Sequence, residues 1–149
     1  MMDHLIADGV IQKLVAQDRM YNTVYVYGSG ARTAVMAACA EAEMRRARPN
    51  AKIIHITGSA FYADVLSRCR QGELSGMLHA YTGDLLILED ISPIAGAEMT
   101  EQELYGILDW FLEHEKQLLI TGDAPPDCVQ NLAPRIRAQL NGGICIAVE

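Results

Sequence analysis

Five short apolar runs, each separated from the next by a stretch with helical periodicity, restrict the folding of this chain more than any other feature. They are Val24-Tyr25-Val26-Tyr27, Lys52-Ile53-Ile54-His55-Ile56-Thr57, Leu85-Leu86-Ile87-Leu88, Gln117-Leu118-Leu119-Ile120-Thr121 and Ile144-Cys145-Ile146-Ala147-Val148. Short runs of this kind read as strands, and an unbroken one such as Leu85 to Leu88 suits a sheet covered on both faces. Strands that alternate with helices are joined by crossovers, which makes the sheet parallel and layers helices on both sides. The expectation is one three-layer α/β domain spanning residues 1–149. A chain of that length buries an ordinary core.

The intervening helices have recognisable faces and ends. Leu5 to Gln17 places Ile6, Val10, Leu14 and Val15 on one side. A long Ala-rich helix from about Ala34 to Arg46 ends in arginines, which complement a helix C-terminus, and Pro49 stops it. Gly58-Ser59 opens a helix carrying Phe61, Val65, Leu66 and Cys69, which Gly72 closes. Thr100-Glu101-Gln102-Glu103 has the spacing of a capping box ahead of Leu104, Ile107, Leu108, Phe111 and Leu112. A last helix centres on Arg135 to Leu140.

Composition excludes several classes of function. A net charge of -7 opposes broad binding to polyanions. No segment approaches the roughly 18 continuous apolar residues of a membrane span. The N-terminus lacks the basic region of a secretory signal, so a cytoplasmic protein without a membrane partner is expected. Cys39, Cys69, Cys128 and Cys145 form no C-x-x-C and fall in or beside apolar segments, as buried free thiols would. The four histidines show no metal-ligand spacing.

Chemistry is suggested where strands end. Gly28-Ser29-Gly30-Ala31-Arg32-Thr33 lies between a strand and a helix, where unpaired amides and the helix dipole attract anions. The phosphate-cradling pattern is G-x-x-x-x-G-K-[ST]. Here the turn is two residues shorter, and Arg32 stands in place of the lysine. Thr33 keeps the metal-ligating hydroxyl position. The third strand ends in two acids, Glu89 where a metal ion would be held and Asp90 where an attacking water would be activated. The fourth strand delivers Asp123 to the same edge of the sheet.

Taken in order, these segments resemble the AAA+ ATPase domain of the bacterial replication initiator DnaA. The likeness is carried by Tyr21 to Gly28, by Asp84 to Gly96, by Lys116 to Pro126, and by Arg135 to Gly143, which matches the family's arginine-bearing box VII. It covers nearly the whole chain, from about Leu5 to Val148. The resemblance implies a P-loop NTPase fold of AAA+ type with a five-stranded parallel sheet. It also implies ATP or ADP with Mg²⁺, held by Gly28, Ser29, Gly30, Ala31, Arg32 and Thr33, with Thr33 and Glu89 on the metal. Glu89, Asp90, Asp123 and Arg135 match the catalytic positions. Replication proteins are the implied partners, and single-stranded DNA would meet the region around Arg68, Arg70 and His79.

The chain departs from the family pattern at several of these positions. The short cradle has fewer amides to wrap a phosphate, and a planar guanidinium does not substitute for an ammonium point charge. The second box VII arginine, which acts on a neighbour's nucleotide, is Gln139, and Arg137 is two residues out of register. The family's lid and its duplex-reading helix-turn-helix domain have no counterpart in these residues, so duplex DNA is not an expected partner of this domain, and nucleotide-dependent oligomerisation loses its basis. The leading Met-Met suggests a natural start. The expected function is a degenerate core, inactive or weakly nucleotide-binding, serving as a regulatory or protein-interaction module in replication initiation. The alternative is a divergent ATP-binding ATPase of the initiator or helicase-loader type.

Overall fold

All five apolar runs are strands of one sheet. The computed structural model describes residues 9–12, 14–15 and 22–148. The strands are β1 (Val24–Gly28), β2 (Ile53–Thr57), β3 (Leu85–Glu89), β4 (Gln117–Gly122) and β5 (Ile144–Val148). Every pairing is parallel, and the order across the sheet is β2-β3-β4-β1-β5. Between them run α1 (Gly30–Ala47), α2 (Gly58–Gln71), α3 (Met77–Tyr81), α4 (Glu98–Glu113) and α5 (Pro134–Asn141).

Alternation along the strands divides the core into two. Leu85 and Ile87 of β3, Val24 and Val26 of β1 and Leu119 of β4 pack on Met36, Ala37, Ala40 and Met44 of α1. Val10, Ile11, Leu14 and Val15 are buried in the same layer, and the remainder of the Leu5–Gln17 helix lies outside the described residues. The opposite face, with Tyr25, Leu86, Leu88, Leu118 and Ile120, is covered by α2 to α5 through Phe61, Val65, Met77, Leu104, Phe111 and Ile136. Leu85 to Leu88 are buried without interruption because helices cover both sides of β3.

Three local expectations are corrected. α1 begins at Gly30 rather than near Ala34, so only Ser29 separates it from β1. Thr100 is not a cap: α4 begins at Glu98, with Ala97 as N-cap, and Thr100 is buried inside the first turn. The acid next to it does the capping elsewhere, since Glu101 Oε2 accepts a hydrogen bond from the Ala133 amide at the start of α5. The four cysteines are free, as expected, but exposed rather than buried. Cys145 shows why, because β5 is an edge strand on which buried and exposed positions alternate. Among the described residues no helix is long and apolar enough to cross a membrane.

Candidate functional site

A parallel sheet collects its chemistry at the carboxyl ends of its strands. Here β1, β3 and β4 end around a cleft of about 190 Å³. Its walls are Gly28 and Gly30 with Thr33 from β1 and α1, Glu89 and Asp90 from β3, and Thr121, Gly122 and Asp123 from β4. Of the six residues expected to cradle phosphate, Gly28, Gly30 and Thr33 line the cleft. Ser29, Ala31 and Arg32 do not; all three are exposed. Glu89, Asp90 and Asp123 stand together at the cleft as the strand ends predicted.

The glycine that ends β1 answers first to packing. Gly28 has φ +139°, and a Cβ there would lie 1.7 Å from the Val148 carbonyl oxygen on β5. The chain then enters α1 at once. The Arg32 and Thr33 amides donate to the Ser29 carbonyl at 3.1 and 3.0 Å, and among the described residues no side chain caps the helix. The Thr33 hydroxyl donates back to the Gly30 carbonyl at 3.1 Å, and the residue is only 5% exposed.

β3 ends in a fixed turn. Asp90 has φ +69°, a left-handed conformation that Asp tolerates better than most residues. Its amide donates to Thr121 Oγ1 at 2.9 Å, and its Oδ1 accepts from the Ser92 amide at 3.1 Å. Gly58 makes room for this turn, because a Cβ there would sit 1.9 Å from the Asp90 carbonyl oxygen. On the other side of the sheet Tyr25 donates its hydroxyl to the Ala124 carbonyl at 2.7 Å, securing the segment that carries Asp123. Burial is the main reason the Tyr25 phenol is pushed well above its usual range, so it stays protonated as that donor.

Glu89 is already engaged. His55 Nε2 donates to Glu89 Oε2 at 2.6 Å, and His55 Nδ1 donates to Glu41 Oε2 at 3.0 Å. An imidazole facing a carboxylate at each nitrogen donates to both in its doubly protonated form, which this pair of acids favours. Partial burial works against that charge, but the hydrogen bonds to Glu41 and Glu89 outweigh it and hold the His55 pKa above its ordinary value. Glu41 is correspondingly lowered, chiefly by its bond to His55. The link joins α1, β2 and β3, and neither Glu41 nor His55 was expected at the site. The legible signal was a polar ring in the middle of the apolar β2 run, which needs a partner once buried.

The remaining candidates lie elsewhere. The Arg135 guanidinium rests over the Tyr105 ring at 4.3 Å from its centroid. Arg137 instead donates to the carbonyls of Asp127, Val129 and Leu132, clamping the loop before α5. The Gln139 amide oxygen is buried without a hydrogen-bond partner among the described residues. Arg68 is tied to both Asp64 oxygens, while Arg70 and His79 are exposed. Among the described residues no group of three or more His, Cys, Asp or Glu side chains is placed to hold a metal ion.

A five-stranded parallel sheet in this order, with a glycine turn after β1 and acids ending β3, defines an α/β core of the P-loop NTPase type, AAA+ branch. The family described as the bacterial DnaA ATPase domain matches residues 4–147, and the chain belongs to it. A curated relative, the chromosomal replication initiator protein DnaA of Francisella tularensis subsp. novicida, is 28% identical over 142 residues. The match covers 93% of this chain but only 29% of that protein, so the chain spans under a third of its length. Among solved structures, AMPPCP-bound DnaA from Aquifex aeolicus superimposes with a TM-score of 0.91 at 22% identity, over 100% of this chain and 47% of that one. A DnaA bound to AMPPCP and single-stranded DNA gives 0.88 at 22% identity, over 97% and 46%. A putative primosome component from Streptococcus pyogenes gives 0.78 at 17% identity, over 100% and 81%. These likenesses show the fold.

Proposed function

We propose that this chain is a DnaA-family AAA+ core that serves as a regulatory, protein-binding module in cytoplasmic replication initiation and does not turn over nucleotide. The observation that carries the reading is the passage from β1 to α1 through Ser29 alone. A phosphate cradle needs a run of successive amides curved around the anion. Here the chain goes straight into helix, and two of the amides concerned are spent on the Ser29 carbonyl.

The fit to Mg-ATP is poor in three further respects. The Thr33 hydroxyl is turned to the Gly30 carbonyl, Arg32 does not line the cleft, and Glu89 is held by His55. The cleft volume also falls below the roughly 300–1,000 Å³ of sites that enclose a ligand of that size. With Gln139 at the finger position, a neighbouring copy gains no arginine from that residue. Replication proteins are therefore the proposed partners. The solved DnaA that holds single-stranded DNA makes it the nucleic acid to test, against the chain's charge of -7.

A second reading, a divergent ATPase of the initiator or helicase-loader type, is favoured by the acids that still meet Gly30 and Thr33 at one cleft. Phosphate release from ATP in excess Mg²⁺ separates the two. The proposal expects a rate equal to that of the Glu89→Gln and Asp90→Asn variants. Turnover that either substitution abolishes contradicts it.

A further inference from the structure

The side chain that binds Glu89 is the most specific feature at the cleft beyond the residues expected there. His55 sits on β2 opposite Ile87 of β3, and the next pair along is Thr57 with Glu89. Side chains two residues apart in a strand share a face, so Glu89 lies diagonally from His55 on the side of the sheet that α1 covers. Glu41 comes down from α1 onto the same ring. The three side chains are each about a quarter exposed, so solvent only partly competes for their hydrogen bonds. A carboxylate oxygen with an imidazole N–H donor at 2.6 Å is among the more strongly engaged acceptors in a protein.

We propose that His55 is a positioning residue that commits the Glu89 carboxylate to a bond within the chain, and thereby denies it to a divalent cation at the end of β3. The effect has two parts. Geometrically, Oε2 points along the sheet toward β2, where the imidazole lies. Chemically, an imidazole N–H donating to Oε2 occupies the lone pair that a cation would have to take. With the ring removed, Glu89 and its neighbour Asp90 are left as adjacent acids at the mouth of the cleft, each with oxygen ligands of the kind hard cations prefer. His55 would thus exclude a metal that the strand-end acids would otherwise attract.

This inference deepens the functional reading above and rests on it in one respect, that the β3 acids are not in use for hydrolysis. The two fail separately. Nucleotide binding and turnover would contradict the function, whereas metal uptake by the wild-type chain without nucleotide would contradict the role of His55.

The test uses Mn²⁺ alone, with no nucleotide, and follows the electron paramagnetic resonance signal of the free ion. The wild-type chain should leave that signal unchanged. His55→Gln should take up about one ion per chain with affinity at least ~10-fold higher, and His55→Gln combined with Glu89→Gln should return to the wild-type result. A merely structural role for His55 would lower the melting temperature without creating a Glu89-dependent metal site. A folded His55→Gln chain that takes up no Mn²⁺, or uptake that survives loss of Glu89, overturns the proposal. If His55→Gln does not fold, His55→Asn carries the same expectation. The wild-type chain adds a measurement needing no variant: Mn²⁺ should not broaden the Glu89 and Asp90 amide resonances, and selective broadening there also overturns it.

Discussion

His55 on β2 and Glu89 on β3 are joined at 2.6 Å, and this bond occupies the acid that the sequence marks as the metal-holding position. Its pH dependence follows from the sign of the shift. The folded His55 pKa lies above its ordinary value of about 6.5. The associated stability is therefore fully present below about pH 6.5 and is lost as pH rises through the folded value. Urea midpoints measured across that range should fall on the alkaline side for the wild-type chain, and His55→Gln should remove this part of the slope. Direct NMR titration of the ring should give a midpoint above that of a free histidine.

Asp84 predicts the opposite limb. Its Oδ2 accepts from the Lys52 amide at 2.8 Å and its Oδ1 from Lys116 Nζ at 3.0 Å. The Lys52 amide is the main cause of its lowered pKa, with Lys116 adding to it and Arg48 contributing charge from farther away. Stability from this group is present above about pH 3.9, the unfolded value, and is lost as pH falls through the folded one. Asp84→Asn should flatten acid unfolding, monitored by circular dichroism.

Gly28 tests whether the end of β1 is fixed by packing. An alanine Cβ would meet the Val148 carbonyl oxygen at 1.7 Å in a backbone conformation with φ +139°. Gly28→Ala should cost ~3 kcal/mol or more in denaturant unfolding. Gly30→Ala is the control, since a Cβ there meets none of the described residues within 4 Å. It should change stability by less than about 1 kcal/mol.

Arg135 and Arg137, both on α5, should separate cleanly. Arg137→Ala removes a donor to three loop carbonyls and should destabilise by about 3 kcal/mol. Arg135→Ala loses a contact with the Tyr105 ring at an exposed position and should cost at most about 1 kcal/mol. Parallel urea titrations of the two variants check the difference.

The sheet was legible because its signals are local. Leu85 to Leu88 has to be covered on both faces wherever it occurs, and Gly72, at φ +70°, ends α2 where the sequence places the break. The convergence of Glu89, Asp90 and Asp123 also followed from where strands end. The Thr100 capping box misled because the same spacing fits the interior of a first turn, and the α4 boundary depends on Ala97 and the loop before it. The Glu41–His55–Glu89 link joins residues 14 and 34 positions apart, and its geometry depends on the β2–β3 register and on how α1 crosses the sheet. Arg137 could be judged out of register with the family, but its carbonyl partners come from a loop whose path no periodicity describes.

The account depends most on the turn between β1 and α1 being closed to phosphate. Calorimetric titration of the wild-type chain with ATP in excess Mg²⁺ measures this directly. The account predicts no saturable heat up to millimolar nucleotide. A micromolar dissociation constant that is weakened by substituting Thr33 or Glu89 would contradict it.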